Sequence, residues 1–330
     1  MMKKNLFSVS LILAGLIGLA SCGSTNENDD GNKKEEFTPV VLKTCGSTSV
    51  QKVLEEGIGA KLSELTSGKI TVQLNQTGSG DAVTGVTEGK NGTKYDLGFL
   101  SREIKADEKT KLTEANKNGA FCKDAVVPIV NSKNPKEATT AAELASLYKG
   151  EKTKWNEVIE NASGDYATSS IKLYNREAGS GTRECFFEGI GYKDVAKEDK
   201  FPDTVQVSSQ SSNGNMMGAI KEDEYGIGYC SLDSLTTATG IKGLSYEGVT
   251  ASEATVLDGT YKLARNFNYV VRADYTEAQK NTQLAVNAFL DFLTSREGLL
   301  AIKSKGGIVN VDANAKTWSS IVDEKYPELK

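Results

Sequence analysis

Beyond residue 37 the chain alternates between short apolar runs and segments whose apolar positions recur every three to four residues. This is the pattern of strands interleaved with amphipathic helices. Val40 to Cys45 predicts a strand, and Val50 to Leu65 a helix with Val53, Leu54, Ile58, Leu62 and Leu65 along one face. Ile70 to Leu74 and Leu97 to Leu100 predict further strands, with Ala82 to Glu88 helical between them. Ala125 to Val130 is a strongly apolar strand, followed by a turn at Asn131 to Pro135. Ile171 to Tyr174 predicts a strand leading into a helix through Cys185, Phe186 and Phe187; Met216 to Lys221 predicts a helix and Ile227 to Cys230 a strand. Phe267 to Val271 is a last strand, before amphipathic helices at Leu284 to Leu293 and Leu299 to Ile302. Such alternation predicts an α/β fold with a largely parallel sheet. With 330 residues, 38% of them hydrophobic, the chain has apolar material for one large or two medium domains, of which two is the expectation.

The N-terminal pattern is different. A basic start at Met1 to Lys4 precedes an apolar run from Leu6 to Ala20, shorter than the about 20 residues that span a bilayer comfortably. It predicts a signal peptide over residues 1–21. The run ends at Leu19-Ala20-Ser21-Cys22, a tetrapeptide that resembles a bacterial lipobox, so Cys22 is expected to become the acylated first residue, anchored to the cell membrane by palmitate or a similar chain. The segment from Gly23 to Glu36 contains only Gly, Ser, Thr, Asn, Asp, Glu and Lys, which cannot bury a core; residues 22–37 are expected to form a solvated tether.

Removing residues 1–21 takes away Lys3 and Lys4 and no acid, so 39 basic residues become 37 against 44 acidic ones, a net charge of −7. That balance argues against nucleic acid as a partner, and leaves open a small anion held by local groups. Cys45, Cys122, Cys185 and Cys230 sit among apolar residues with no C-x-x-C pair. Buried free thiols are expected, with two disulfides as the alternative outside the cell. The chain has no histidine, which removes His-dependent triads and the H-E-x-x-H zinc site. No metal, no cofactor and no catalytic residue is expected.

Three stretches share one grammar: Cys45-Gly46-Ser47-Thr48-Ser49, Thr77-Gly78-Ser79-Gly80-Asp81 and Ala178-Gly179-Ser180-Gly181-Thr182. Each follows a predicted strand and opens a predicted helix. In a parallel sheet such turns fall on one edge, where ligands bind. Glycine admits close approach of the backbone, and a helix start offers unpaired N–H groups with partial positive charge. With Ser and Thr hydroxyls added, the combination is an anion cradle. Singly, each loop also reads as an ordinary helix cap. Arg176 lies three residues before Gly179, where its fork can take two oxygens of a tetrahedral anion; the alternative is an ion pair with Glu177. No loop ends in Gly-Lys-Ser/Thr and no G-x-S-x-G elbow occurs, so the chemistry stops at binding.

These residues resemble the phosphate-binding proteins of high-affinity phosphate ABC importers, over essentially the whole mature chain. The most specific piece is Arg176-Glu177-Ala178-Gly179-Ser180-Gly181-Thr182-Arg183, similar to that family's R-x-x-G-S-G-T loop. Gly46 to Ser49, Gly78 to Gly80 and Asp96 to Glu103 support it, with weaker echoes at Tyr148 to Val158 and Gly226 to Leu232. The resemblance implies a two-lobe, periplasmic-binding-protein-like fold of type II, with two crossover strands near Ala125 to Val130 and Tyr261 to Tyr269 and a ligand cleft between the lobes. Lobe one is then 38–126 with 262–330, and lobe two 127–261. It further implies that Ser47, Thr48, Ser49, Ser79 and Ser101 hold inorganic phosphate from one lobe, and Arg176, Ser180, Gly181 and Thr182 from the other. The implied protein is a monomeric, exported receptor, not an enzyme, whose partner is the membrane permease of a phosphate ABC importer.

One departure bears on specificity. Many family members carry an Asp at or just after the Ser of the third strand end, where it accepts the proton of hydrogen phosphate and repels sulfate. Here the run is Ser101-Arg102-Glu103, so Glu103, Asp81, Glu177 or a backbone carbonyl takes that role, or selectivity is lower. Arg102 is expected to touch the ion or to rim the cleft. Other readings are a receptor for sulfate or molybdate, a secreted phosphate-ester hydrolase, and an adhesive lipoprotein that keeps only the fold.

Overall fold

The structure is a computed structural model and describes residues 37–193, 195 and 200–330. The expected signal peptide, Cys22 and the tether up to Glu36 lie outside the described residues. Phe37, read as the last tether residue, is instead buried with Leu42, Leu54 and Phe292, since a phenyl ring gains more in a core than in a solvated linker.

The strands are β1 (Val40–Gly46), β2 (Ile70–Asn75), β3 (Leu97–Leu100), β4 (Asn118–Asn131), β5 (Ala138–Thr139), β6 (Lys172–Arg176), β7 (Val207–Gln210), β8 (Gly226–Ser231), β9 (Ile241–Gly243), β10 (Ser245–Tyr246) and β11 (Ala264–Val271). β5 and β10 pair with each other; the rest form one sheet in the order β2-β1-β3-β11-β4-β8-β6-β7, with β9 also on β4. The sheet is mixed, which corrects the expectation of a largely parallel one. β1 is parallel to β2 and β3, and β6 to β7 and β8, because helices carry the chain back between them. β11 runs antiparallel to β3 and β4, and β4 antiparallel to β8 and β9.

β4 joins two lobes. Its 14 residues reach roughly 45 Å at about 3.3 Å per residue. Asn118 to Ala125 pairs with β11, and Val126 to Val130 with β8. The apolar cores divide there as well. Phe121, Cys122 and Phe267 pack with Leu42, Phe99, Phe289 and Trp318, under the helices Lys280–Thr294, Arg296–Ser304 and Trp318–Lys325. Ala125, Val126 and Leu263 pack with Tyr148, Trp155, Phe186 and Tyr229. The predicted helix from Val50 is a 3-10 turn at Thr48–Val50, a wide π segment at Val53–Gly59 and an α-helix at Ala60–Leu65. Gly57 and Gly59 lower the preference for regular α geometry in that segment, yet Val53, Leu54, Ile58 and Leu62 are all buried as their spacing requires.

Candidate anion-binding cleft

β1 ends at Gly46, with φ +116°. A Cβ there would stand 2.1 Å from the Phe99 carbonyl oxygen, so only glycine lets the end of β1 lie this close to β3. The Ser47 N–H then donates to the Phe99 carbonyl at 2.8 Å, and the Gly78 N–H to the Gly46 carbonyl at 2.7 Å. These contacts gather the loops after β1, β2 and β3. Ser47 Oγ donates to Ser101 Oγ at 2.8 Å; Ser79 Oγ accepts the Ser101 N–H at 3.2 Å and lies 3.3 Å from Ser101 Oγ. All three serines are buried. Ser47 also caps the next turn by accepting the Ser49 N–H.

The third loop arrives from the other lobe. Ser180 caps the helix Gly181–Gly189 through the Arg183 N–H at 3.4 Å. The first turn faces the serines: a Cβ on Gly181 would lie 2.0 Å from Ser101 Oγ and 2.9 Å from Ser79 Oγ. Ser49 Oγ and Thr182 Oγ1 meet at 2.9 Å, closing the gap between lobes. Seven of the candidate residues, Ser47, Ser49, Ser79, Ser101, Ser180, Gly181 and Thr182, thus come together. Thr48 stands at the flank, half-buried, lining a 390 Å³ cavity with Ser49, Asn213 and Asp233.

Arg176, at the end of β6, is 1% exposed. Its Nε and Nη2 donate to both Glu177 carboxylate oxygens at 2.8 Å, and Nη1 donates to Asn213 Oδ1 at 2.7 Å. The Glu177 pair read as the alternative is therefore formed. Together with the Asn213 bond it uses the Nε–H and one N–H of each terminal nitrogen, and a guanidinium carries two on each terminal nitrogen. Among the described residues no hydrogen bond runs from Arg176 to Ser47, Ser79 or Ser101. The backbone here is held from behind: the Tyr229 hydroxyl accepts the Arg176 N–H at 3.1 Å and donates to Asn175 at 2.5 Å. The Tyr229 ring stacks on Phe186 of the Gly181 helix, with centroids 4.0 Å apart.

The candidate proton acceptors are turned elsewhere. Glu177 faces Arg176, and Glu103 accepts from Asn266 at 3.0 Å. Asp81 faces Thr77 and Lys90, the latter at 2.6 Å. Burial alone would raise the Asp81 carboxyl, but the bonds from Lys90 and Thr77 outweigh it and hold it below the usual value. Arg102 points away from the serines and is held by Glu108, with both terminal nitrogens at 2.7 Å from the carboxylate, and by Glu184. All four described cysteines are unpaired, which answers the disulfide alternative, and burial pushes the Cys45 and Cys185 thiols up to about 12. A 570 Å³ cavity beside β4 and β11, lined in part by Arg102, Glu103, Lys105, Glu188 and Arg265, contains none of the nine residues expected to hold phosphate.

Sequence reasoning missed Asn213, Glu184 and Glu108. For Asn213 there was a signal, since Ser211-Ser212-Asn213-Gly214 is a fourth polar, glycine-bearing loop. The strand before it, Val207–Gln210, is too polar to read as one.

The PBP superfamily domain matches residues 32–297 of the chain. Phosphate-binding protein PstS 2 of Streptococcus agalactiae is 30% identical over 170 residues, half of this chain and 55% of that protein. The match thus spans about half the length of that relative. Phosphate-binding protein PstS of Staphylococcus saprophyticus is 28% identical over 276 residues, covering 80% of this chain and 78% of that one. Among solved structures, a putative phosphate ABC transporter substrate-binding protein with bound phosphate from Clostridium perfringens is 27% identical with a TM-score of 0.65, covering 82% of this chain and all of that one. An ABC-type phosphate transport receptor from Vibrio cholerae, 22% identical with a TM-score of 0.62, covers 82% of this chain and all of its own, and shares the fold.

Proposed function

Because the chain belongs to the PBP superfamily, we propose that it is an extracytoplasmic receptor that binds inorganic phosphate and delivers it to the permease of an ABC importer. The observation that carries this reading is the meeting of three buried serine hydroxyls from one lobe with the start of the Gly181–Gly189 helix from the other. Hydroxyls and helix-start N–H groups are donors to an anion, and donors from both lobes make closure part of binding. The names of the streptococcal and staphylococcal relatives and the phosphate in the clostridial structure point to the same ion.

In this reading Ser47, Thr48, Ser49, Ser79 and Ser101 hold phosphate from residues 38–126 and 262–330. Arg176, Ser180, Gly181 and Thr182 hold it from residues 127–261. With Asp81, Glu103 and Glu177 engaged by Lys90, Asn266 and Arg176, a backbone carbonyl accepts the phosphate proton. The protein binds without catalysis, in keeping with a chain that lacks histidine. Cys22, acylated after loss of residues 1–21, holds it at the membrane; Cys22→Ser is expected to move it from the membrane to the soluble fraction, and unchanged partition would defeat the anchor.

Calorimetric titration with phosphate, repeated in excess sulfate, tests the ligand. Saturable phosphate binding that sulfate leaves unchanged is expected. Equal competition by sulfate would make this a general oxyanion receptor, and no heat with phosphate would sink the reading.

A further inference from the structure

The helix whose first turn faces Ser101 carries a carboxylate, Glu184, in that same turn. A carboxylate there suits the helix dipole but repels an anion bound at the helix start. Glu184 does not face water. Its side chain is 7% exposed and its Oε2 lies 2.5 Å from Arg102 Nε, while Oε1 accepts from Lys105 Nζ at 3.0 Å. Both cations belong to the segment leaving β3, on the opposite side of the cleft.

Arg102 is set in place by its own lobe. Glu108 grips both its terminal nitrogens and also accepts the Lys105 N–H at 2.9 Å, which leaves Nε beside Glu184 as a close charge contact without hydrogen-bond alignment. The two acids and two bases of this cluster sum to zero with the cleft closed. If the lobes part, Arg102 keeps Glu108, and Glu184 keeps no cation from this segment. Among the described residues, Glu188, one turn along the same helix, also bears on Arg102.

We propose that Arg102, Lys105 and Glu184 form a cross-cleft clasp that neutralises the anion-binding helix start only on closure, so that they are positioning residues for ligand capture. The proposal rests on the phosphate reading for its ligand. Separation of the lobes exposes the anion to an uncompensated carboxylate about one turn away, and closure removes that repulsion together with water. Binding and closure are thereby coupled through one buried ion pair, since a ligand shifts an equilibrium by its differential affinity for the two states. A second pair across the cleft, Lys52 with Asp233 at 3.0 Å, has side chains 42% and 20% exposed. It is screened by solvent and salt, and serves as an internal control.

The test uses the full chain and measures phosphate affinity and release rate. Arg102→Gln is expected to release phosphate about tenfold faster, and Arg102→Gln with Glu184→Gln to recover most of the loss, because the lone buried carboxylate is gone. Asp233→Asn is expected to change release less than twofold. Lys105→Met, at a half-exposed side chain, is expected to speed release two- to threefold and covers the case in which Arg102→Gln does not fold. Unchanged release in Arg102→Gln and Lys105→Met, or a double variant worse than the single, overturns the clasp. Failure of the parent chain to bind phosphate sinks the ligand reading instead. The clasp is then judged by small-angle scattering, where Arg102→Gln must be more extended than the parent and equal radii overturn it.

Discussion

The two walls of the cleft hold their polar groups by opposite means. On one wall Ser47, Ser79 and Ser101 are neutral and bonded to one another, at the ends of three adjacent parallel strands. On the other, Arg176 is charged and held by Glu177, Asn213 and the Gln210 carbonyl, beside a helix start. A rigid set of hydroxyls defines size and donor directions but compensates no charge. A guanidinium and a helix dipole compensate charge but discriminate weakly by shape. A dianion drawn out of water needs both, because an uncompensated buried charge costs far more than a lost hydrogen bond. On the proposed reading, recognition is divided between the lobes, and neither holds the ion alone.

If that division is right, the charged wall carries the larger share of affinity. Arg176→Ala is expected to weaken phosphate binding at least about 100-fold, on the order of 2.7 kcal/mol, with thermal unfolding still cooperative. A dissociation constant within fivefold of the parent would remove Arg176 from the site. Gly181→Ala attacks the meeting of the walls, since its Cβ would stand 2.0 Å from Ser101 Oγ; a loss of about tenfold or more is expected from titration. Ser101→Ala alone is expected to cost about fivefold, near the value of one neutral hydrogen bond. Combined with Gly181→Ala, it should restore part of the larger loss, because it deletes the atom in the way. Strictly additive losses would show that the two residues do not meet.

Much of the neutral wall was legible in the sequence. Gly-Ser-Thr-Ser after one strand, Gly-Ser-Gly after the next and Ser101 at the end of a third are local signals, and a parallel sheet puts such turns on one edge. Arg176 was legible too, as a cation at a strand end beside a glycine loop. Its pairing with Asn213 was not, because 37 residues separate the two. The first half of β4 was also missed. Asn118 to Asp124 reads Asn-Gly-Ala-Phe-Cys-Lys-Asp, with no two-residue alternation, and it is a strand because it pairs with β11, which lies more than 130 residues later in the chain.

The sequence by itself determined the more apolar strands and helices, the three glycine–hydroxyl loops and the chemistry they offer, because periodicity, helix capping and turn preference are written within a few neighbouring residues. Only the tertiary structure decided that the sheet is mixed, that Ser49 meets Thr182 across 133 residues, and that Arg102 faces Glu184 instead of the serines. Those outcomes depend on which distant surfaces bury each other and which buried charges find a partner, and no local pattern encodes the answer.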